Sequence, residues 1–385
     1  MRIAMVGPFG FHPNKTMRAR AFQLARPLAD QGHEIAMFMP PWQTPAEAGR
    51  VWEEDGVEIH YVNLKGGLPF IWRRLVQETL AFRPDVVHCF KPKAYSGLVA
   101  WWLWHRRRQT IRLVTDTDDW EGWGGWNELA PYNVVQKHFF ARQERWGLGH
   151  CHVLTVASRA LQSLAGTHAV SPEQVVYLPN GPGIDINAEG AGNRRQELGL
   201  TDRPVLLLYS RLFEFDTGRL LDVLQRVHTR VPHLAILSIG SGLYAEDAES
   251  LRVGLAERGL LPAVVDLGWL DEEDLPAAIQ SADVGLYLME DTLLNRTKCP
   301  VKLADMAALG LPVVAEDVGQ VREYVQHERT GMLSTVGDPA GLAEQIVQLL
   351  TDDARRRQMG AAARDYLRRF SWTNLAEQLL TAYQG

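Results

Sequence analysis

Two lysines and a carboxylate recur inside an otherwise apolar frame, Lys298-Cys299-Pro300-Val301-Lys302-Leu303-Ala304-Asp305-Met306. Pro300 disfavours helix just before it, so a helix starting near Val301 carries Lys302, Asp305 and Met306 in its first turns. A helix N-terminus flanked by lysines attracts phosphate. Gly310-Leu311-Pro312 then stops the helix, and Val313-Val314-Ala315 reads as a short buried strand. The competing reading is an ordinary αβ unit with solvated lysines.

Asp116, Asp118 and Asp119 stand at the end of another strand, where three carboxylates repel one another unless something binds them or water solvates them. They are followed by Trp120, Trp123 and Trp126 among three glycines, which reads either as an apolar platform for a sugar face or as three core aromatics. The turn Gly7-Pro8-Phe9-Gly10-Phe11-His12-Pro13-Asn14-Lys15-Thr16 lets backbone approach a diphosphate or an acceptor closely, and a structural turn is the equal alternative. It is not a G-x-G-x-x-G fingerprint.

Short apolar strands alternating with amphipathic stretches must position these groups. They fall at Ile3 to Val6, Glu34 to Met39, Glu58 to Val62, Val86 to Cys89, Ile111 to Thr115 and Val153 to Ala157. After the turn-forming cluster Leu178 to Gly183 the pattern restarts at Val205 to Tyr209, Ala235 to Ile239, Val264 to Leu267, Val284 to Leu288 and Val313 to Ala315. This alternation predicts an α/β chain of βαβ units with parallel sheets, divided by a linker near residues 180 to 200. Doubly wound sheets bind ligands at the carboxyl ends of their strands.

The order Lys302, Asp305, Ala307-Ala308, Gly310, Pro312-Val313-Val314, Gly319 and Glu323 resembles the donor signature of retaining GT-B glycosyltransferases of family 4. The resemblance implies two Rossmann-like doubly wound domains facing across a cleft. An acceptor-side domain would span 1–183, with a last helix at 370–385 packing back on it, and a nucleotide-sugar donor domain would span 200–369. By the same resemblance, Arg211 in Tyr209-Ser210-Arg211-Leu212 pairs with the donor pyrophosphate, a task its bidentate fork suits. Gly10, Gly240, Trp269, Leu270, Lys298, Lys302, Leu303 and Asp305 complete the donor set, with Asp305 on the ribose. Two departures stand out: Thr297 holds the place of a first family glutamate, and Asp216 that of a family lysine. Lys298, Lys302 and Arg219 are then the candidates for a second phosphate cation. Asp118 falls where the family often has a histidine, so Asp118 or Asp116 would orient the acceptor hydroxyl or accept its proton. Arg211 and Lys302 would neutralise the leaving group, and Phe11, Asp119, Trp120 and Trp123 would meet the acceptor. Asp116-Thr117-Asp118 also matches the D-x-D that binds a divalent metal in other glycosyltransferases, whereas GT-B implies no metal and no other cofactor.

The 385 residues are 46% hydrophobic and 22% charged, enough for two cores, and the net charge of −6 argues against a nucleic-acid partner. Three scattered cysteines imply no zinc site and fit a reducing cytoplasm. The N-terminus reads as a first strand and not a signal peptide, and no run reaches the roughly 18 apolar residues of a membrane span. Trp101-Trp102-Leu103-Trp104-His105-Arg106-Arg107-Arg108 places aromatics before a basic cluster, an arrangement that can rest on the inner face of an anionic membrane, although the three tryptophans do not share one helical face. The expected activity is transfer of a sugar from a UDP- or GDP-sugar to a hydroxyl of a glycan or lipid-linked acceptor in cell-envelope synthesis. A catalytically silent sugar-nucleotide-binding protein and a sugar-nucleotide 2-epimerase are the alternatives.

Overall fold

The computed structural model describes residues 1–184, 192–240 and 242–385. Part of the linker expected near 180 to 200 therefore lies outside the described residues, as does Ser241. The chain divides into two compact units, one formed by Met1–Asn180, Thr297–Cys299 and Ser371–Gly385, the other by Gly181–Arg296 and Pro300–Phe370. The short segment 297–299, Lys298 included, thus belongs to the first unit and not to the expected donor domain.

The first unit holds an eight-stranded sheet in the order β3-β4-β2-β1-β5-β6-β7-β8. Its strands are β1 (Arg2–Val6), β2 (Glu34–Met39), β3 (Val51–Glu54), β4 (Val57–Tyr61), β5 (Val86–Phe90), β6 (Arg112–Thr117), β7 (Val153–Val156) and β8 (Val175–Tyr177). All pairings are parallel except β3 with β4. β5 is buried along its whole length, as expected of a strand covered on both faces. The helix Trp372–Gln384 also packs here: Leu375, Leu379 and Tyr383 join the core of Ile3, Met5 and Leu24. The Tyr383 hydroxyl lies 2.7 Å from His88 Nδ1, and burial pushes the His88 ring down to about 3, so it is held neutral.

The second unit holds a six-stranded parallel sheet, β11-β10-β9-β12-β13-β14. These are β9 (Val205–Tyr209), β10 (Ala235–Ile239), β11 (Val264–Asp266), β12 (Val284–Tyr287), β13 (Val313–Glu316) and β14 (Gly331–Ser334). Strand order reverses between β9 and β12 here, and between β1 and β5 in the first unit. Each reversal opens a crevice at the carboxyl ends of the strands, which is where doubly wound sheets take ligands. The helix Val301–Ala308 begins where Pro300 directs it and ends before Gly310, whose φ of 73° is a left-handed conformation that favours glycine.

Candidate active site

In the second unit, the reversal of strand order between β9 and β12 brings Lys302 to the end of β9. Tyr209, Ser210, Glu214, Phe215, Tyr287, Leu288 and Lys302 line a small cavity at that switch point. The Lys302 ammonium lies 4.7 Å from the centre of the Tyr209 ring. Arg211 follows β9 directly; its guanidinium sits 4.9 Å from the Phe213 ring and donates from Nη2 to Glu214 at 3.0 Å. Gly240, after β10, has φ of 84°, and a Cβ there would stand 2.6 Å from the Ser210 carbonyl, so no other residue fits. Its N–H donates to the Gly268 carbonyl at 2.7 Å, which ties the β10 and β11 turns together. The next residue, Trp269, is 62% exposed, and Leu270 is half-buried.

Several sequence-stated roles change in this unit. Asp305 is buried, and its Oδ1 accepts from the N–H groups of Gly183 at 2.6 Å and Ile184 at 3.3 Å. It therefore clamps the start of the chain segment entering this unit and does not stand open to a ribose. Leu303 points into the core. Arg219 is held by Glu316 at 3.1 Å with Glu290 at 3.8 Å, which leaves Lys302 the better placed second cation. Asp216, which replaces the family lysine, caps the helix Thr217–Arg230 by accepting from the Arg219 N–H at 2.8 Å.

Burial pushes the Asp305 carboxyl up to about 7, against the two amides and Lys302, which pull it down. A folded-state value above the ordinary 3.8 means the folded protein binds this proton more tightly than the unfolded chain. Stability is then whole below about 4 and is progressively lost as pH rises to about 7. Asp305→Asn keeps an acceptor for Gly183 and carries no charge. Its melting temperature should gain on the parent as pH is raised across that window in thermal scans, and a constant offset would refute the assignment.

In the first unit the carboxylates at the end of β6 are bound, but by residues that the sequence reading did not single out. Asp116 is sealed: Arg20 donates to its two oxygens at 2.8 and 2.7 Å, and the Thr155 hydroxyl donates at 2.6 Å. Arg20 holds it below the ordinary carboxylate range despite burial. Asp116 is a structural ion pair and cannot reach an acceptor. Asp118 lies 2.9 Å from Lys91 Nζ, which also reaches Glu121 at 2.9 Å and Asp119 at 3.5 Å. Lys93 holds the other Glu121 oxygen at 2.6 Å. Burial would raise Glu121, but the two lysines outweigh it and bring the carboxyl down to about 2. Asp118 shares Lys91 with two rivals, so burial prevails and its carboxyl is raised. The available signal was Lys91-Pro92-Lys93 directly after an apolar strand, which puts two cations at a carboxyl edge.

Four further assignments in this unit are corrected. Trp120 is buried, donates from Nε1 to the Trp123 carbonyl at 2.8 Å and stacks on His168, so it is core and not a sugar platform. Phe11 is packed among Phe22, Trp52 and Tyr61. At Gly10 an added Cβ would meet the Tyr61 ring at 2.9 Å, so glycine serves that packing. Trp123 alone of the acceptor aromatics is exposed, and Asp119 is partly so. Lys298 is buried, 5.4 Å from the Trp126 ring in the first unit, and the neighbouring Thr297 carbonyl accepts from Ser158 Oγ at 2.7 Å. Among the described residues no group of three or more His, Cys, Asp or Glu side chains is placed to hold a metal ion.

Two parallel-sheet α/β units with ligand crevices at their switch points define the GT-B class of fold, and comparison with known proteins agrees. Anabaena HepE, solved in complex with UDP and glucose, superposes with a TM-score of 0.74 at 18% identity, covering 99% of this chain and 98% of that one. Sucrose-phosphate synthase from Thermosynechococcus elongatus gives 0.72 at 21% identity, covering 100% and 98%. Residues 15–181 match the glycosyl transferase 4-like domain and residues 203–352 the glycosyl transferases group 1 family. The chain belongs to this glycosyltransferase family. A phosphatidyl-myo-inositol mannosyltransferase of Mycobacterium leprae is 26% identical over 100% of this chain and 96% of its own length. A D-inositol 3-phosphate glycosyltransferase of Stackebrandtia nassauensis is 26% identical over 95% and 86%.

Proposed function

We propose that this glycosyltransferase moves a sugar from a UDP- or GDP-sugar to a hydroxyl of a glycan or lipid-linked acceptor, with retention of anomeric configuration, in cell-envelope glycan synthesis at the inner membrane face. The observation that carries the reading is Lys302 in the β9/β12 cavity, with Arg211 following the lining residue Ser210 at the end of β9 and bonded to the lining residue Glu214; two cations at one strand end suit one diphosphate. The inositol-containing acceptors in the names of the relatives support a hydroxyl acceptor.

In this mechanism the guanidinium fork of Arg211 and the Lys302 ammonium offset the charge that develops on the leaving diphosphate. Gly240 and the Gly268-Trp269-Leu270 turn supply close backbone, with the exposed Trp269 beside the base. Asp118 orients the acceptor hydroxyl, held in place by Lys91. Retention follows when the departing phosphate takes the acceptor proton on the face it leaves. No metal or other cofactor enters these steps.

A second reading, a donor-binding protein without transfer, draws on one observation: the side chain of Asp216, which stands in place of the family lysine, is engaged in a structural helix cap. Calorimetry and mass spectrometry against a panel of nucleoside diphosphate sugars separate the readings. The expected result is one donor bound and slowly hydrolysed to free nucleotide. Binding without hydrolysis would favour the silent protein, turnover to an isomeric nucleotide sugar would favour the 2-epimerase, and no binding at all would remove the donor assignment.

A further inference from the structure

The first unit leaves β5 through Lys91-Pro92-Lys93-Ala94, where Lys91 and Ala94 both hold left-handed backbone, φ 49° each, without being glycine. Such strain persists only where surrounding bonds enforce it, and it collects at functional sites. The Lys91 N–H donates to the Asp116 carbonyl at 2.9 Å, and the Ser96 hydroxyl donates to the Lys91 carbonyl and, at 3.0 Å, to that of Lys93. Gln143 on the helix Val134–Gly149 closes the turn, accepting from the Ala94 N–H at 2.7 Å and donating to its carbonyl at 2.9 Å. The turn stands at the carboxyl end of β5, beside the reversal of strand order between β1 and β5.

What the turn fixes is a chain of alternating charge. Lys93 Nζ holds one Glu121 oxygen at 2.6 Å; Lys91 Nζ holds the other at 2.9 Å and also lies 2.9 Å from Asp118 and 3.5 Å from Asp119. Lys91 is buried, and the Lys93 ammonium lies over the rings of Tyr132 at 4.7 Å and Phe140 at 5.2 Å. The Glu121 backbone is tied in turn, its N–H donating to Oε1 of buried Glu144 at 3.0 Å. Burial, and then the Glu121 charge, push the Glu144 carboxyl well above its ordinary range, so it is a neutral buttress. The other charges around Asp118 are Asp119 beside it and the Asp116–Arg20 pair, which is closed on itself. One ammonium thus faces three carboxylates, and its share on Asp118 depends on how far Lys93 has already neutralised Glu121.

We infer that Lys91 is a positioning residue that keeps Asp118 a hydrogen-bond acceptor, and that Lys93 acts through Glu121 to set how much of the Lys91 charge reaches it. A carboxylate accepts the hydrogen bond of an acceptor hydroxyl, whereas a protonated carboxyl meets that hydroxyl with a competing donor. Burial favours the protonated form of Asp118, and Lys91 opposes it. Two cations face Asp118, Asp119 and Glu121; Asp119 is partly exposed and solvated by water, so the missing positive charge falls on buried Asp118. The inference rests on the proposed role of Asp118 for its purpose, while the chain of charges rests on the distances alone.

Carbon-13 NMR of the Asp118 carboxyl in the full chain, labelled at aspartate and assigned by the signal lost in Asp118→Asn, follows its protonation and needs no substrate. Lys93→Met leaves Glu121 to Lys91 alone and should move the Asp118 midpoint up by about one pH unit, the lower end of what a neighbouring charge does. Glu121→Gln frees Lys91 for Asp118 and should move the midpoint down by a similar amount. Lys93→Arg should restore the parent midpoint. Glu144→Gln removes no charge, because that carboxyl is already neutral, and should leave the midpoint in place; it controls for substitution in the same buried cluster. A merely structural cluster predicts no such pair of opposite shifts. Shifts of one sign, or none, would overturn the proposal. If Lys93→Met does not fold, Glu121→Gln decides alone, an unmoved midpoint being the refuting result. Hydrolysis of UDP-glucose and of GDP-mannose to free nucleotide, followed over the same pH range, should show an acid limb that moves with the NMR midpoint in each variant. A limb that stays while the midpoint moves would overturn the positioning role. No hydrolysis in the parent would count against the proposed function, with the NMR result still deciding the chain of charges.

Discussion

Replacing Arg20 by Met should destabilise the first unit by about 3–5 kcal/mol, the scale on which one partner of a buried ion pair is removed. The guanidinium is buried and has no water to replace what it holds. It donates to both oxygens of Asp116, to the Asn180 side chain at 2.8 Å and to the Leu178 carbonyl at 2.9 Å. Met fills the volume, leaves Asp116 charged and dry, and frees the strand end that leads out of β8. Arg20→Lys keeps the charge and loses the fork, so it should fall between the two. Asp116→Asn leaves the guanidinium buried and unneutralised and should cost a similar amount, while the double variant should cost less than the sum. Urea titration followed by circular dichroism measures each term, and a loss under about 1 kcal/mol for Arg20→Met would show that the pair is dispensable.

The same pair sets a pH dependence. Asp116 is held below its ordinary range by Arg20, so the stability it contributes is present above the unfolded carboxylate value and is lost as pH falls through the lower folded one. Acid unfolding of the parent should therefore be steeper than that of Asp116→Asn, which has no such proton to take up.

Elements were legible in the sequence wherever an apolar run was long and sharply bounded. β2, β9 and β10 lie where the alternation puts them, and the helix after Pro300 starts at Val301 as stated. β3, β8 and β14 were not seen. β3 is Val-Trp-Glu-Glu, half polar on an antiparallel edge, and β8 has three half-buried residues, so neither carries the signal of a two-sided strand. The β14 residues Gly331 to Ser334 begin with a glycine. In the site, residue type pointed to chemistry but not to partners. Asp116 and Arg20 are 96 positions apart, and nothing local says that a carboxylate at a strand end is already neutralised. Asp118 looked like one of three equivalents; only the fold separates it, by placing Lys91 from the neighbouring strand end against it. Trp120 and Trp123 share a motif and differ because Trp120 turns inward to donate to the Trp123 carbonyl.

Arg211→Ala should weaken donor binding by about 1.5–3 kcal/mol, the worth of a charged hydrogen-bonding group, or roughly ten- to a hundredfold in Kd. The case rests on position: Arg211 leaves the end of β9, the strand at which the sheet order reverses, and Lys302 reaches the same crevice over Tyr209. Arg211→Lys should restore little, because a point charge cannot make two parallel bonds to one phosphate. Glu214 is the confounder. It is buried and takes an Arg211 bond at 3.0 Å, and its backbone carbonyl accepts from the Glu290 N–H and from Asn295, so losing Arg211 could disturb that loop instead of the donor. Glu214→Gln separates the two explanations. It keeps the backbone bonds and the side-chain volume and replaces the ion pair with a neutral hydrogen bond, which loosens the hold on the guanidinium, so donor affinity should hold or rise if Arg211 acts on phosphate. A parallel loss in both variants would mean that the pair shapes the loop and that the diphosphate cation is elsewhere. Lys302→Met should then be read beside them: a second cation on the same diphosphate predicts a loss comparable to that of Arg211→Ala, and a double variant that costs more than the sum, because in each single variant the remaining charge can shift toward the phosphate that its partner no longer holds.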